Sequence, residues 1–271
     1  MTDVSANEPV LRIPPENARI SVGGHLLAVT CSGDGIPTVI LDAGLGEGKS
    51  AWAAVQGMVG QFTRVCSYDR FGVGESDAGT LPRTSQRMVE ELRALLQAAS
   101  ILPPYVLVGH SLGGLNMQLF ATLYSTDVAG IVLVDPSFPD VTTRVDEQLG
   151  EEAAMFYAIQ FSSDGEGMTA DDFRTSCRQV ADAGFCPDVP VLVLSAGQEV
   201  QLPPEYAQLQ PVIATTSRIM RDGHNALVQA IPYGELRVDP QSSHAQFRPE
   251  TIVEAIREVV EAFRASEAGK G

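Results

Sequence analysis

Residues 106–120 read "VLVGHSLGGLNMQLF". An apolar run ends in Gly-His-Ser-Leu-Gly, and a helix-like apolar pattern follows without a linker. A strand that turns directly into a helix leaves the residue at the corner in a cramped backbone conformation, which pushes its side chain out beyond the sheet edge. The positions two residues to either side must be tiny to avoid collision. Here they are Gly109 and Gly113, backed by Gly114, and the exposed atom is the hydroxyl of Ser111. The new helix aims its first amides at the same point.

The segments on both sides fit this corner into a layered fold. Upstream, "RISVGG" (19–24) and "HLLAVTCSG" (25–33) form a hairpin signal around Gly-Gly. "TVILDAG" (38–44), "FTRVCSYDR" (62–70) and "YVLVGH" (105–110) read as strands, as do "VAGIVLVD" (128–135), "VPVLVLSAG" (189–197) and "ELRVD" (235–239). Helical segments fall between them at "SAWAAVQGMV" (50–59) and "TSQRMVEELRALLQAAS" (84–100), the second with Met88, Val89, Leu92, Leu95 and Leu96 at helical spacing behind a Thr84 or Ser85 cap. The chain closes with the amphipathic "PETIVEAIREVVEAFRAS" (249–266). Alternating strands and helices predict an α/β fold with a mostly parallel sheet covered on both faces. The stretch 136–188 is too long for a normal crossover and carries two helix-like pieces, "EEAAMFYAIQF" (151–161) and "TADDFRTSCRQVADAGF" (169–185). It is read as a helical cap inserted into a core made of 1–135 and 189–271, with residues 1–17 as a loose arm.

Bulk properties narrow the function. The chain has 34 acidic and 18 basic residues, a formal net charge of −16, which disfavours polyanionic partners such as nucleic acid and anionic membrane surfaces. No basic-then-apolar leader and no span of transmembrane length is visible, so no membrane association and a cytoplasmic location are expected. Nothing in the sequence fixes an oligomeric state. Cys31, Cys66, Cys177 and Cys186 show no Cys-x-x-Cys spacing and no nearby histidine, so no metal site is expected. They are read as buried, reduced thiols, with Cys177 and Cys186 close enough to close a small loop if oxidised.

Four ordered stretches make the chain resemble the α/β-hydrolase superfamily from about residue 18 to 265. "ILDAGLGEGKSAW" (40–52) is similar to the loop after the third strand, "YDRFGVGESD" (68–77) to the loop after the fourth, "VLVGHSLGG" (106–114) to the nucleophile elbow, and "SSHAQFRPETIVEAI" (242–256) to the terminal histidine loop. The resemblance implies a mostly parallel eight-stranded sheet and a cofactor-independent serine hydrolase acting on a small molecule. Relatives that dehalogenate or open epoxides carry aspartate at the nucleophile position, so Ser111 argues against those reactions.

A serine hydroxyl needs a base, and the base needs an orienting acid. His244 stands where the resemblance places the base. His25 lies in the hairpin and His110 beside the serine with its ring turned away; His224, before the last strand, is the second choice of base, its other reading being a surface or helix-capping residue. For the acid, Asp135 at the end of "IVLVD" is favoured because aspartate is the commoner orienter and sits directly at a strand end. Glu199 in "SAGQEVQLPPEY" (195–206) is the alternative, and Asp140 a third choice. The oxyanion donors implied are the backbone amides of Leu112 and Leu45. Ala43-Gly44 replaces the common His-Gly pair there, which leaves a backbone donor in place. "YDRFGVGESD" is read as scaffold, with Asp69 and Arg70 in internal ion pairs. Met155, Phe156, Tyr157, Ile159 and Phe161 form an apolar stripe that reads as packing first and pocket second. If part of it faces the serine, the pocket suits an uncharged acyl or alcohol group. The expected reaction is hydrolysis of a carboxylic ester or related acyl bond. Thioester, lactone or carbon–carbon cleavage and acyl transfer are alternatives with the same triad, and a non-catalytic binding protein on a hydrolase scaffold is an alternative of another class.

Overall fold

The computed structural model describes residues 17–161 and 166–269. The N-terminal arm read over 1–17 lies, apart from Asn17, outside the described residues, as does part of the 136–188 insertion.

The expected hairpin is present. β1 (Asn17–Val22) and β2 (His25–Ser32) pair antiparallel around Gly23 and Gly24, whose φ values of 59° and 89° suit a two-residue turn closed to most side chains. β3 (Thr38–Asp42), β4 (Val65–Tyr68), β5 (Tyr105–His110), β6 (Val128–Val134), β7 (Val191–Gln198) and β8 (Gly234–Ser243) follow. The eight strands form one sheet in the order β1-β2-β4-β3-β5-β6-β7-β8, parallel from β4 to β8 and antiparallel at β1 and β2.

Alternation along the buried strands sorts the core into two layers. Val39, Leu41, Val106, Val108, Val132 and Val134 face α1 (Ala53–Val59) and α8 (Pro249–Ala268). Ile40, Leu107, Ile131 and Leu133 face the other side, with α2 (Ser85–Ala98) and α3 (Leu112–Leu123). α4 (Val141–Leu149), α5 (Glu152–Gln160) and α6 (Ala170–Ala183) lie within residues 136–188. Their Val145, Tyr157 and Val180 belong to this second apolar layer. α6 also caps a core helix, since the Ser85 and Gln86 amides at the start of α2 donate to Ser176 Oγ (2.8 Å) and Gln179 Oε1 (2.9 Å). Thr84 holds the N-cap position of α2 without a side-chain cap bond.

Two features depart from the sequence expectations. α7 (Gln210–Gln229), a 20-residue helix between β7 and β8, was not marked by periodicity. It carries Pro211 in its first turn and Gly223 inside, and a Cβ on Gly223 would lie 2.0 Å from the Phe138 ring. The glycine is a packing choice that reads locally as a break. The cysteines also differ. Cys31 and Cys66 are not free thiols but a disulfide, while Cys177 (buried) and Cys186 (exposed) stay unpaired. The antiparallel register sets Cys31 directly opposite Cys66 across β2 and β4, with Cα atoms 4.1 Å apart. A separation of 35 residues along the chain gives no hint of that juxtaposition. Burial pushes the Cys177 thiol up to about 12, so it is not a thiolate near neutral pH.

Candidate active site

The turn after β5 has the cramped geometry that its glycines imply. Ser111 sits at φ 51° and ψ −115°, and is 8% exposed. A Cβ on Gly109 would stand 2.4 Å from the Gly113 carbonyl oxygen, and one on Gly113 would stand 2.3 Å from the Asp42 carbonyl oxygen. No residue with a side chain fits at either position without moving backbone.

A second strained residue ends the next strand. Asp135, directly after β6, has φ 41° and is 3% exposed. The two corners are laced together: Ser111 N–H donates to the Val134 carbonyl (3.2 Å), and Ser137 N–H donates to the Ser111 carbonyl (2.9 Å). The Asp135 carboxylate is fully engaged. Oδ1 accepts the Ala196 amide at 2.8 Å, and Oδ2 lies 2.6 Å from Nδ1 of His244. Burial works against ionisation of this carboxyl, but the His244 hydrogen bond and the charges of His244 and His224 outweigh it and hold it well below the carboxylate range. His244 follows β8, in a turn closed by reciprocal Ser243–Gln246 backbone hydrogen bonds of 3.1 Å. Desolvation favours its neutral form, but Asp135 and the more distant Glu47 prevail and raise its pKa above the ordinary imidazole value.

Ser111, Asp135 and His244 line one cavity of about 160 Å³, together with Leu45 and Leu112. Glu199 is not among its lining residues, and Nδ1 of His244 is held by Asp135. Asp140 starts α4 and pairs with Arg144 at 2.8 Å. The Leu45 amide donates to no acceptor among the described residues. The Leu112 amide opens α3, where an intrahelical partner is absent by construction of the helix.

The stripe on α5 divides. Phe156, Tyr157 and Phe161 line the cavity, whereas Met155 and Ile159 are 40% and 53% exposed. Val141 and Val145 of α4 add to the same apolar wall.

The loop around Leu45 is held by the scaffold stretch, as its charges imply. Asp69 pairs with Lys49 (2.9 Å), and Arg70, 2% exposed, bridges Asp42 and Glu166. Arg70 also donates to the carbonyls of Ala43 (2.6 Å) and Gly44, and Glu166 accepts the Gly46 amide at 2.8 Å. Glu166, from the insertion, escaped the sequence reading because its partner lies 96 residues away. His110 does turn from the cavity: its ring bridges the Glu47 carboxylate (3.3 Å) and the His244 carbonyl (3.0 Å). The His110 hydrogen bond is the main reason the Glu47 carboxyl lies below its ordinary value.

His224 corrects its surface or capping reading. It is fully buried, with Nε2 2.9 Å from the Pro136 carbonyl, Nδ1 2.9 Å from Ser195 Oγ, and Nδ1 3.8 Å from Asp135 Oδ1. Burial lowers its pKa, so the ring is neutral, donating from Nε2 and accepting the Ser195 hydroxyl at Nδ1. It ties together the two peptide segments that frame Asp135.

The model of the alpha/beta hydrolase family matches residues 39–256. The chain belongs to the alpha/beta hydrolase family. Among curated proteins it is similar to the uncharacterized protein YqjL of Bacillus subtilis, 29% identical over 165 residues, which is 60% of this chain and 63% of that one. The chain thus spans less than two thirds of that relative's length. Among solved structures it resembles a thermophilic esterase from Thermogutta terrifontis (23% identity, 91% of this chain and 98% of that one, TM-score 0.60). It also resembles the enol-lactonase of Burkholderia xenovorans LB400 (18% identity, 90% and 99%, TM-score 0.62). At these identities the structural likeness is one of fold. The alpha/beta hydrolase architecture and a hydrolase assignment rest on the family match. No helix among the described residues is long and apolar enough to cross a membrane.

Proposed function

We propose that this hydrolase cleaves a carboxylic ester of a small, mainly apolar substrate through an acyl-enzyme. The observation that carries the reading is the 2.6 Å pairing of His244 Nδ1 with Asp135 at a cavity that Ser111 also lines. Asp135 fixes the Nδ1–H tautomer, which leaves Nε2 of His244 as the base toward the serine. Ser111 Oγ attacks the ester carbonyl carbon and passes its proton to Nε2. The carbonyl oxygen becomes an oxyanion held by the Leu45 and Leu112 amides. Collapse expels the alcohol, which takes the proton from His244. A water deprotonated by the same nitrogen then attacks the acyl-enzyme, and the carboxylic acid departs as Ser111 recovers its proton. Neither a metal nor a cofactor enters these steps. Residues 136–188 act as the cap over this cavity, and its apolar wall supplies most of the ground-state binding.

Fluorophosphonate labelling, combined with turnover of a series of p-nitrophenyl esters, tests the reading. Labelling of Ser111 with ester turnover is expected, and both should vanish in Ser111→Ala. A folded protein that neither labels nor turns over any ester would refute it in favour of a binding role. Activity on acyl-thioesters or lactones alone would move the assignment within the family.

A further inference from the structure

Among the described residues that line the substrate cavity, three side chains carry a formal charge at some accessible pH: Asp135, His244 and Arg221. The first two are committed to each other. Arg221, half-buried on α7, has no ion-pair or hydrogen-bond partner for its guanidinium among the described residues. The arginines of the surrounding helices are engaged: Arg144 with Asp140, Arg174 with Asp146 and Asp171, and Arg218 with Gln148.

An arginine stem can serve simply as apolar cover, with its head in water. The surroundings favour more than that. Ser217, one turn earlier on the same helix face, also lines the cavity, so one rigid element brings a hydroxyl-bearing and a guanidinium-bearing residue to the same space. The opposing wall is apolar, formed by residues such as Val145, Phe156 and Phe161. Beside such a wall a half-buried guanidinium is less screened than one on the open surface and attracts an anion more strongly.

Position along α7 sets the reach. His224, three residues on from Arg221 or about 4.5 Å along the axis, has its ring 3.8 Å from Asp135. Arg221 lines the same cavity as Ser111 and His244, so a group held by its guanidinium shares that space with the reacting carbonyl.

Resting on the ester-hydrolase reading above, we propose that Arg221 and Ser217 form an anion subsite. The preferred substrate is then an ester with a short apolar acyl chain ending in a carboxylate. This narrows the uncharged acyl group expected from sequence: the body is apolar, and its far end is anionic.

Two matched substrates test this, p-nitrophenyl pentanoate and mono-p-nitrophenyl glutarate, which share a leaving group and differ at the chain end. The wild type should show the higher kcat/KM for the glutarate half-ester. Arg221→Met keeps the stem and removes the charge. It should lower kcat/KM for the half-ester roughly 10- to 100-fold, the range for losing a hydrogen bond to a charged group, and leave the pentanoate within about twofold. As a binding readout independent of turnover, glutarate should compete with pentanoate hydrolysis in the wild type and lose potency by a similar factor in Arg221→Met. The subsite is refuted if the variant loses the same factor on both esters, or if wild type prefers the pentanoate and the variant leaves that preference unchanged. If neither ester turns over and Ser111 fails to label, the ester-hydrolase reading has failed instead.

Discussion

Replacing Asp135 by asparagine isolates charge from shape. The side chain keeps its volume in a site that is 3% exposed and keeps one oxygen, but it exchanges the other for an amide donor. Two orientations are open, and each fails. If the remaining oxygen keeps the Ala196 amide at 2.8 Å, the new NH₂ faces Nδ1 of His244 and demands that Nδ1 accept. The imidazole then carries its proton on Nε2, where it cannot take one from Ser111. If the oxygen turns to His244, the NH₂ opposes the Ala196 N–H in a buried site, at a cost of about 1–3 kcal/mol. The first outcome mirrors the tautomer effect known for the serine-protease triad, about 10⁴ in kcat, or roughly 5.4 kcal/mol of barrier at 1.36 per decade. Wild-type kcat/KM should rise with pH through an apparent pKa above 6.5, because Asp135 raises that of His244. Residual Asp135→Asn activity should show this limb moved to lower pH.

The stability signs separate in the same experiment. The depressed Asp135 carboxyl stabilises the fold above about pH 3.9 and loses that contribution as pH falls. The raised His244 stabilises it below about pH 6.5 and loses that contribution as pH rises through its folded value. Pre-steady-state and steady-state p-nitrophenyl ester hydrolysis from pH 5 to 9, beside thermal melts carried down below the ordinary carboxylate range, measures both. A variant that keeps wild-type turnover, while Glu199→Gln loses it by orders of magnitude, would refute the assignment of the acid.

Two further outcomes are expected. Arg70→Met strands the buried carboxylates of Asp42 and Glu166. It should cost about 3–5 kcal/mol, which is a fall in Tm of roughly 6–20 °C for a chain of this size, read by calorimetry; an unchanged Tm would show that the cluster contributes nothing net. Thiol titration of the unreduced protein should find Cys186 alone under native conditions, Cys177 in addition after unfolding, and all four cysteines only after reduction. Four reactive thiols without reductant would show that Cys31 and Cys66 do not pair.

The parts legible in the sequence were those whose cause is local. The corner at Ser111 is written in Gly109 and Gly113, and the buried strands are written in their apolar runs. The place of Asp135 at a strand end before Pro136 was legible, though only three dimensions show β7 supplying the Ala196 amide to it. Features whose cause lies across the fold were not legible. α7 hides behind Pro211, Thr215, Thr216 and Gly223, whose suitability depends on Phe138 and on packing against β7 and β8. The burial of His224, the Cys31–Cys66 register and the reach of Glu166 to Arg70 each depend on a partner distant in sequence. The α5 stripe was ambiguous because periodicity names a face without naming what it meets.

The guanidinium of Arg70 has a bearing on how such a protein diversifies. Through it the segment that shapes the chamber and the strand-end peptide beside the serine share one fastener, with Glu166 on one prong and Asp42 on the other. Lengthening or shortening the insertion upstream of position 166 would tug on Gly44 and Gly46 as well as on the chamber wall. New specificities are therefore easier to reach by swapping side chains on α4, α5 and α7 than by trading whole insertions, unless an acidic residue is kept at the same spot.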